Sequence, residues 1–546
     1  MHWVDWLIVV TLNGAVIAVG LLMARAKQTS SEWFLGNRAL PWWAIGMSMF
    51  ATNVDNADIV AVAGSTYNEG LHIISVYAIG SALGGILASF LVVPAIYRRG
   101  FYTNAEFLEA RFDPYVRLIG AVIQLQYRSS MLGLILVSMH VLLTKLAGID
   151  DAAAWGIVVL AVLFSGSYTA FGGLKSVVFT DALQGIVMMI GGAVIFAAVY
   201  HAAGGWSGMS ASLEASGRGS LMHIGEYRGK SGMLSPYVIV FGWTILGSGY
   251  WTVNHTQTMR LMGARSLWDM KLAATFGVAA SLPIMIACAV LGVLGRSLPQ
   301  YAELAEADHL YPLLANQYLG IGLKGLVVAG VVAAGISTFD SMGSALSAIF
   351  TRDIYARFFV KDRKDSHYVL VGRFASVGVL ALGFLYLPLI LKQENMLKAF
   401  TTLVPVLVTP LFTVYVLGVA TSASRASGLL ALIIGSAYGF VALVDREFVD
   451  LTWMPHWLSE RWPSLVWSLL VTGATMGVVT LFMGRADTLE KPLQEEGWLS
   501  RSREELPPLR EHPFAHEPHP LWLKLPAFAA AALMVVCCVV VFHTFW

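Results

Sequence analysis

Residues 50–58, Phe50-Ala51-Thr52-Asn53-Val54-Asp55-Asn56-Ala57-Asp58, place two carboxylates and two amides inside an otherwise apolar run over about 42–68. At bilayer depth such groups cost several kcal/mol unless each finds a partner or faces water. The segment is expected to be a discontinuous helix lining a cavity, where freed backbone carbonyls can bind a cation. Asn53, Asp55, Asn56 and Asp58 are therefore candidates for holding a solute. A second group lies in the run 321–350, where Ala334, Ser337, Thr338 and Ser341 follow at spacings that put them on one helix face. A small, hydroxylated stripe also suits close packing of membrane helices. Asp340 beside it needs a cation or a proton, and hard oxygen ligands are what an alkali or alkaline-earth ion requires.

Further polar residues interrupt other apolar runs: Asp181 in Phe179-Thr180-Asp181-Ala182-Leu183-Gln184, Arg128 after Tyr127, and the patch Tyr250-Trp251-Thr252-Val253-Asn254-His255. Arg128 can pair with Asp55, Asp58 or Asp181, or clamp a substrate carboxylate in bidentate fashion. His255 suits helix packing as well as ligation. Thr401 and Thr402 open a run in which Pro405 and Pro410 predict a kink.

The elements that must position these residues are membrane helices. The 546 residues are 57% apolar and only 13% charged, against about 25% charged in soluble domains. Mean hydropathy is +0.68. A water-facing surface cannot be built from so little charge, so a polytopic protein of the lipid bilayer is expected. The formal net charge of +1, without a separate basic domain, argues against nucleic-acid binding. Cys288, Cys537 and Cys538 sit in apolar runs and suggest neither disulfides nor zinc. The first run, 3–23, has its positive charge after it and reads as a retained helix, not a cleaved leader. Further spans are expected at about 42–68, 72–97, 118–146, 153–172, 176–201, 234–260, 271–295, 321–350, 368–391, 397–421, 427–444, 464–484 and 525–545. That gives fourteen helices. Arg and Lys concentrate in alternate loops, Arg260 being counted in one of them, which places both termini outside. An irregular outer loop with a short helix is expected at 202–233. A charged, proline-bearing cytoplasmic linker is expected at about 485–523, with His512, His516 and His519 in it.

With these residues in view, the chain resembles the sodium/solute symporter family, in the branch of the sodium–glucose and sodium–sialic acid cotransporters. The resemblance rests on Tyr168-Thr169-Ala170-Phe171-Gly172-Gly173-Leu174, on 179–184, on Phe350-Thr351-Arg352-Asp353-Ile354-Tyr355 and on 50–54. It implies an all-α LeuT-like inverted repeat: a leading helix and loop (1–41), five-helix repeats at 42–201 and 234–421 around the loop 202–233, and three further helices in 422–546. It also implies a main sodium site on Ala51, Val54 and Ala334 carbonyls with Ser337 and Thr338 hydroxyls. Members with a second ion use the equivalents of Asp181, Ser337, Asp340 and Ser341, so one or two Na+ are expected. Sugar-transporting members have a histidine where Asp58 stands, an acidic residue near Tyr77, a lysine near Ala280 or Ser281 and a glutamine near Thr401. None is kept, whereas Asn53 and the pair Tyr250-Trp251 are. The substrate candidates are then Asn53, Asp55, Asn56, Asp58, Tyr77, Arg128, Tyr250, Trp251, Asn254, His255 and Thr401.

The expected activity is sodium-driven uptake of a small polar solute, a sugar or sugar acid favoured, by alternating access in a multi-pass cell membrane protein of a bacterial inner membrane. No obligatory protein partner is expected. A proton-coupled carrier titrating Asp55, Asp58, Asp181 or Asp340, a carrier of amino acids or monocarboxylates, and a transporter-like sensor are the alternatives. An enzyme is not expected, since neither H-E-x-x-H, nor a G-x-S-x-G serving a triad, nor a Walker loop occurs.

Overall fold

Helices begin in this chain where a short polar side chain can accept from the free amides of a first turn. In the computed structural model Asp113 accepts from the Tyr115 and Val116 amides at 2.7 and 3.0 Å, with Pro114 opening the helix. Asp150 and Ser266 start two more long helices in the same way. The structure describes residues 1–23, 29–225, 236–393, 396–488, 491–505 and 521–546, excluding the side chains at 236–239, 241, 397, 398, 400, 401, 405, 461, 462 and 521–524. The His512, His516 and His519 tract and the Thr401 side chain lie outside the described residues.

In chain order the helices are α1 (Trp3–Met23), α2 (Trp42–Asn53), α3 (Asn56–Glu69), α4 (Leu71–Arg98), α5 (Asn104–Arg111), α6 (Pro114–Lys145), α7 (Asp151–Ala202), α8 (Gly205–Ala215), α9 (Pro236–Val253) and α10 (His255–Met262). They continue as α11 (Leu267–Ser297), α12 (Leu310–Tyr318), α13 (Leu323–Phe359), α14 (Asp365–Ile390), α15 (Met396–Ala420), α16 (Ser427–Glu447), α17 (Arg461–Met483), α18 (Trp498–Glu504) and α19 (Leu521–Thr544). Among the described residues there is no strand, only an isolated bridge between Leu40 and Ala264. Ten helices among the described residues are long and apolar enough to cross a membrane. The difference from the expected fourteen lies at four places. The runs 42–68 and 234–260 are each broken into two shorter helices, the run 397–421 contributes a shorter apolar stretch at Val406–Ala420, and 153–201 is one helical run, α7. Gly173 divides α7 internally with φ +64°, a conformation that favours glycine, and a β-carbon there would meet the Trp33 backbone.

α13 is buried along most of its length and packs chiefly on α7. With α2, α3, α6 and α11 these helices form the centre, while α1, α17 and α19 expose apolar faces such as Leu22, Phe482 and Val539. Lipid is the solvent those faces require. The segment after α7 holds the short helix α8, as expected. The expected solvated linker needs correction over its first part. Trp498, Leu499 and Ser502 of α18 are buried, and Lys491 donates through its amide to the Ala110 carbonyl at 2.8 Å.

Candidate functional site

The helix breaks at Val54, whose φ −111° and ψ 90° leave the helical region. Asp55 then caps α3, its Oδ1 accepting from the Asp58 amide at 2.9 Å. A helix end leaves its last carbonyls without amide partners, so the break frees backbone oxygens in the middle of the bundle. The hydroxylated face of α13 meets it there. Thr52 and Ser341 share a hydrogen bond of 2.9 Å, and Gly335 lies against Asn56. Thr338 donates to the Ala334 carbonyl at 3.1 Å, one turn before it. Ala51, Val54, Ala334, Ser337 and Thr338 are all fully buried. Three carbonyls and two hydroxyls are neutral hard donors, a set that fits a monovalent ion better than a divalent one.

On the other side of the break lies a cavity of about 120 Å³. Six of the expected solute-binding residues line it: Asn53, Asp55, Asp58, Tyr77, Arg128 and Tyr250. Asn53 also donates to Ser281 Oγ at 3.2 Å. Arg128 is buried, its guanidinium 5.5 Å from the Tyr127 ring centroid. Among the described residues no carboxylate oxygen lies within 4.0 Å of it. A guanidinium and two carboxylates thus face one cavity without pairing to each other.

Other expected residues do different work. Asn56 donates to the Ile135 carbonyl at 3.2 Å and its own carbonyl accepts from Ser138, so it ties α3 to α6. Trp251 donates through its indole to the Ser81 carbonyl at 3.2 Å and lies outside the cavity. Asn254 and His255 are corrected likewise: Asn254 caps α10, accepting from the Thr256 amide at 3.1 Å, and His255 is buried with Nδ1 3.2 Å from Thr258 Oγ1. The Asn254 cap marks a second broken helix, at the start of the second half of the chain as α2 and α3 are at the start of the first. The aromatic cavity walls Tyr127, Trp243 and Phe412 carried no sequence signal beyond membrane-helix composition.

Of the four residues expected to share a second sodium site, Asp181, Ser337 and Ser341 meet and Asp340 does not. Arg260, which the charge pattern puts in a loop, enters the core on α10 and pairs with Asp181 at 2.9 Å. It also donates to Ser48 at 2.6 Å, to Thr52 at 2.7 Å, to Ser341 and to the Thr256 carbonyl. Ser337 and Ser341 donate to Asp181 at 2.7 and 3.0 Å. Of the partners open to Arg128, Asp181 is taken by Arg260. Asp340 points elsewhere, toward α7, where Ser165 and Thr169 donate to its Oδ1, the latter at 3.2 Å. The break at Asn254 is what turns the polar segment carrying Arg260 inward, and its run of His, Thr, Gln and Thr before the arginine was the available signal.

A model of the sodium:solute symporter family matches residues 33–435. The sodium/glucose cotransporter of Vibrio parahaemolyticus is 29% identical over 416 residues, covering 71% of this chain and 76% of that protein. Sodium/glucose cotransporter 4 of Danio rerio is 24% identical, covering 94% of this chain and 83% of its own. Among solved structures, a substrate-bound outward-open Na+-coupled sialic acid symporter superposes with TM-score 0.73 at 20% identity, over 90% of this chain and 100% of that one. A nucleobase-cation-symport-1 transporter superposes with TM-score 0.52 at 14% identity over 88% of this chain and 99% of its own. At these identities the two superpositions show a shared fold.

Proposed function

We propose, since the chain belongs to the sodium:solute symporter family, that it couples sodium at the broken helix to uptake of a small polar solute held in the adjoining cavity. The chain is a multi-pass membrane protein and a sodium-coupled transporter, not an enzyme. The observation that carries the coupling is the break at Val54 and Asp55. On one side of it Ala51 and Val54 are buried with Ala334, Ser337 and Thr338, and on the other Asp55 and Asp58 line the cavity. An ion that orders the break orders the solute pocket, and by linkage the solute tightens the ion in return. Each sodium entering down a potential of 100 mV contributes ~2.3 kcal/mol from the voltage alone.

A sugar is the favoured solute. Asp55 and Asp58 accept from hydroxyls, Arg128 and Asn53 donate, and Tyr77, Tyr127 and Tyr250 supply ring faces. The sugar names of the relatives support this class. A second reading, an amino acid, is supported by Asp58 and Arg128 facing one cavity unpaired, which matches an ammonium and a carboxylate. The fourteen-span arrangement with both termini outside and repeats at 42–201 and 234–421 belongs to the same reading, supported by the broken helix near the start of each repeat. The test is uptake into proteoliposomes with an inward sodium gradient, over sugars, sugar acids and amino acids. Thr338→Ala should raise the sodium concentration for half-maximal uptake at least tenfold while the protein remains folded. Uptake indifferent to sodium overturns the proposal.

A further inference from the structure

We propose that Asp308 is a positioning residue of the solute cavity: it holds the start of α15, and with it the Met396 wall of the cavity, in place against α3. The inference rests on the symport reading, in which that cavity takes the solute, and adds to it a residue that lies outside the cavity lining. Asp308 belongs to the stretch 298–309 that joins α11 to α12.

Ala57, Asp58 and Ala61 of α3 line the cavity, and Gly64 carries the same helix face on by one turn. A β-carbon on Gly64 would collide with Asp308 Oδ1 and stand 3.1 Å from the Ala307 carbonyl. The glycine therefore lets 298–309 lie directly on the helix. One turn further along α3 the Tyr67 hydroxyl accepts from the Leu304 amide and donates to the Tyr301 carbonyl, each at 2.7 Å. The Arg296 guanidinium lies over the Tyr67 ring, 4.6 Å from its centroid. The stretch is thus fixed on α3 at two successive turns. Its bond to α15 comes from Asp308, whose Oδ2 accepts from the Met396 amide at 2.9 Å. Met396 opens α15, where the first amides have no intrahelical partner, and it lines the cavity with Val404, Val408 and Phe412 of the same helix. The α3 wall that carries Asp58 and the apolar α15 wall therefore face the solute across a spacing that 298–309 sets, and Asp308 is the polar bond that transmits it.

The test reads the cavity without knowledge of the solute. Ala61→Cys, in a full chain whose Cys288, Cys537 and Cys538 are replaced by alanine, puts a single thiol on the cavity wall. The rate at which the water-soluble thiol reagent MTSET modifies it, in sodium-free choline buffer, reports how firmly the wall is held. Asp308→Ala should raise that rate roughly 2- to 30-fold, the range of one lost helix-start bond, whereas Asp308→Asn, which keeps an oxygen for the Met396 amide, should stay within about twofold of the parent. Gly64→Ala displaces Asp308 without removing it, so it should also raise the rate and add nothing further to Asp308→Ala, since both act through one contact. Binding of 22Na+ in the absence of solute should be the same in all of these proteins, which a general loosening of the bundle would not allow. An unchanged rate in Asp308→Ala, an Asp308→Asn rate as high as that of the alanine variant, or 22Na+ binding lost along with the wall overturns the positioning role. A parent protein that binds no 22Na+ overturns the symport reading instead, and the labelling rates decide the role of Asp308 in either case.

Discussion

Two arginines lie inside the bundle in opposite circumstances, and they should respond oppositely to the same substitution. Arg260 is enclosed by Asp181, Ser48, Thr52 and Ser341, so every direction of its guanidinium is answered by protein oxygen. Arg260→Ala leaves the Asp181 charge buried without its partner, a change that typically destabilises by ~3–5 kcal/mol. Arg128 has no carboxylate within 4.0 Å among the described residues and borders the cavity. Arg128→Ala should fold within roughly 1 kcal/mol of the parent. It should weaken solute affinity by roughly 10- to 100-fold, the range of a charge-assisted hydrogen bond. Thermal unfolding in detergent and concentration-dependent uptake, measured on both variants, separate the two roles. An Arg128→Ala protein as unstable as Arg260→Ala would assign Arg128 to structure.

At the scale of elements, the breaks and kinks decide where the chemistry sits. The break at Val54 was legible, because two carboxylates and two amides in six residues cannot be carried by a regular helix facing lipid. The break at Asn254 was not, because a cap residue inside a long apolar run looks the same as a polar residue packed between helices. Its consequence, the inward turn of Arg260, is therefore visible only in the structure, which pairs the arginine with Asp181. Spacing fixed which residues share the α13 face but not which neighbour each addresses: Ser337 and Ser341 turn to Asp181, whereas Asp340 turns to Ser165. The Gly172-Gly173 pair acquires its reason only in the structure, where Gly173 bends α7 at positive φ with the Trp33 backbone where a β-carbon would stand. Gly173→Ala should therefore destabilise beyond the ~1 kcal/mol typical of a helix glycine exchange, and in this direction. A variant with the parent's melting temperature would show that the bend is not required.

Across the whole molecule, one end of the bundle is tied together by charge. Arg117 of α6 reaches Asp353 at 2.7 Å, Glu109 at 2.9 Å and Glu495 at 3.2 Å. Glu106 of α5 accepts from Arg352 at 3.1 Å and from Arg503 at 2.7 Å. Trp498 stacks on Tyr368 at 3.9 Å between centroids and donates to Asp365 at 2.7 Å. The segment 491–505 thus clasps α5, α6, α13 and α14 together at that end. Burial by itself would raise the pKa of Glu106, but Arg503, Arg352 and Arg117 outweigh it and hold the carboxyl well below its ordinary range. A carboxyl depressed in the folded state stabilises it fully above the unfolded value of about 4.3, and that contribution is lost as pH falls further toward the folded value. The melting temperature of the purified protein should accordingly drop on acidification from pH 5 to pH 3. Glu106→Gln should melt lower at pH 7, because buried Arg117 and Arg352 and half-buried Arg503 lose one shared anion, at a cost of about 3–5 kcal/mol. It should also lose less on acidification than the parent, since the titrating group is gone. Equal acid losses in parent and variant would move the acid sensitivity to another carboxylate and reduce the clasp to a packing contact.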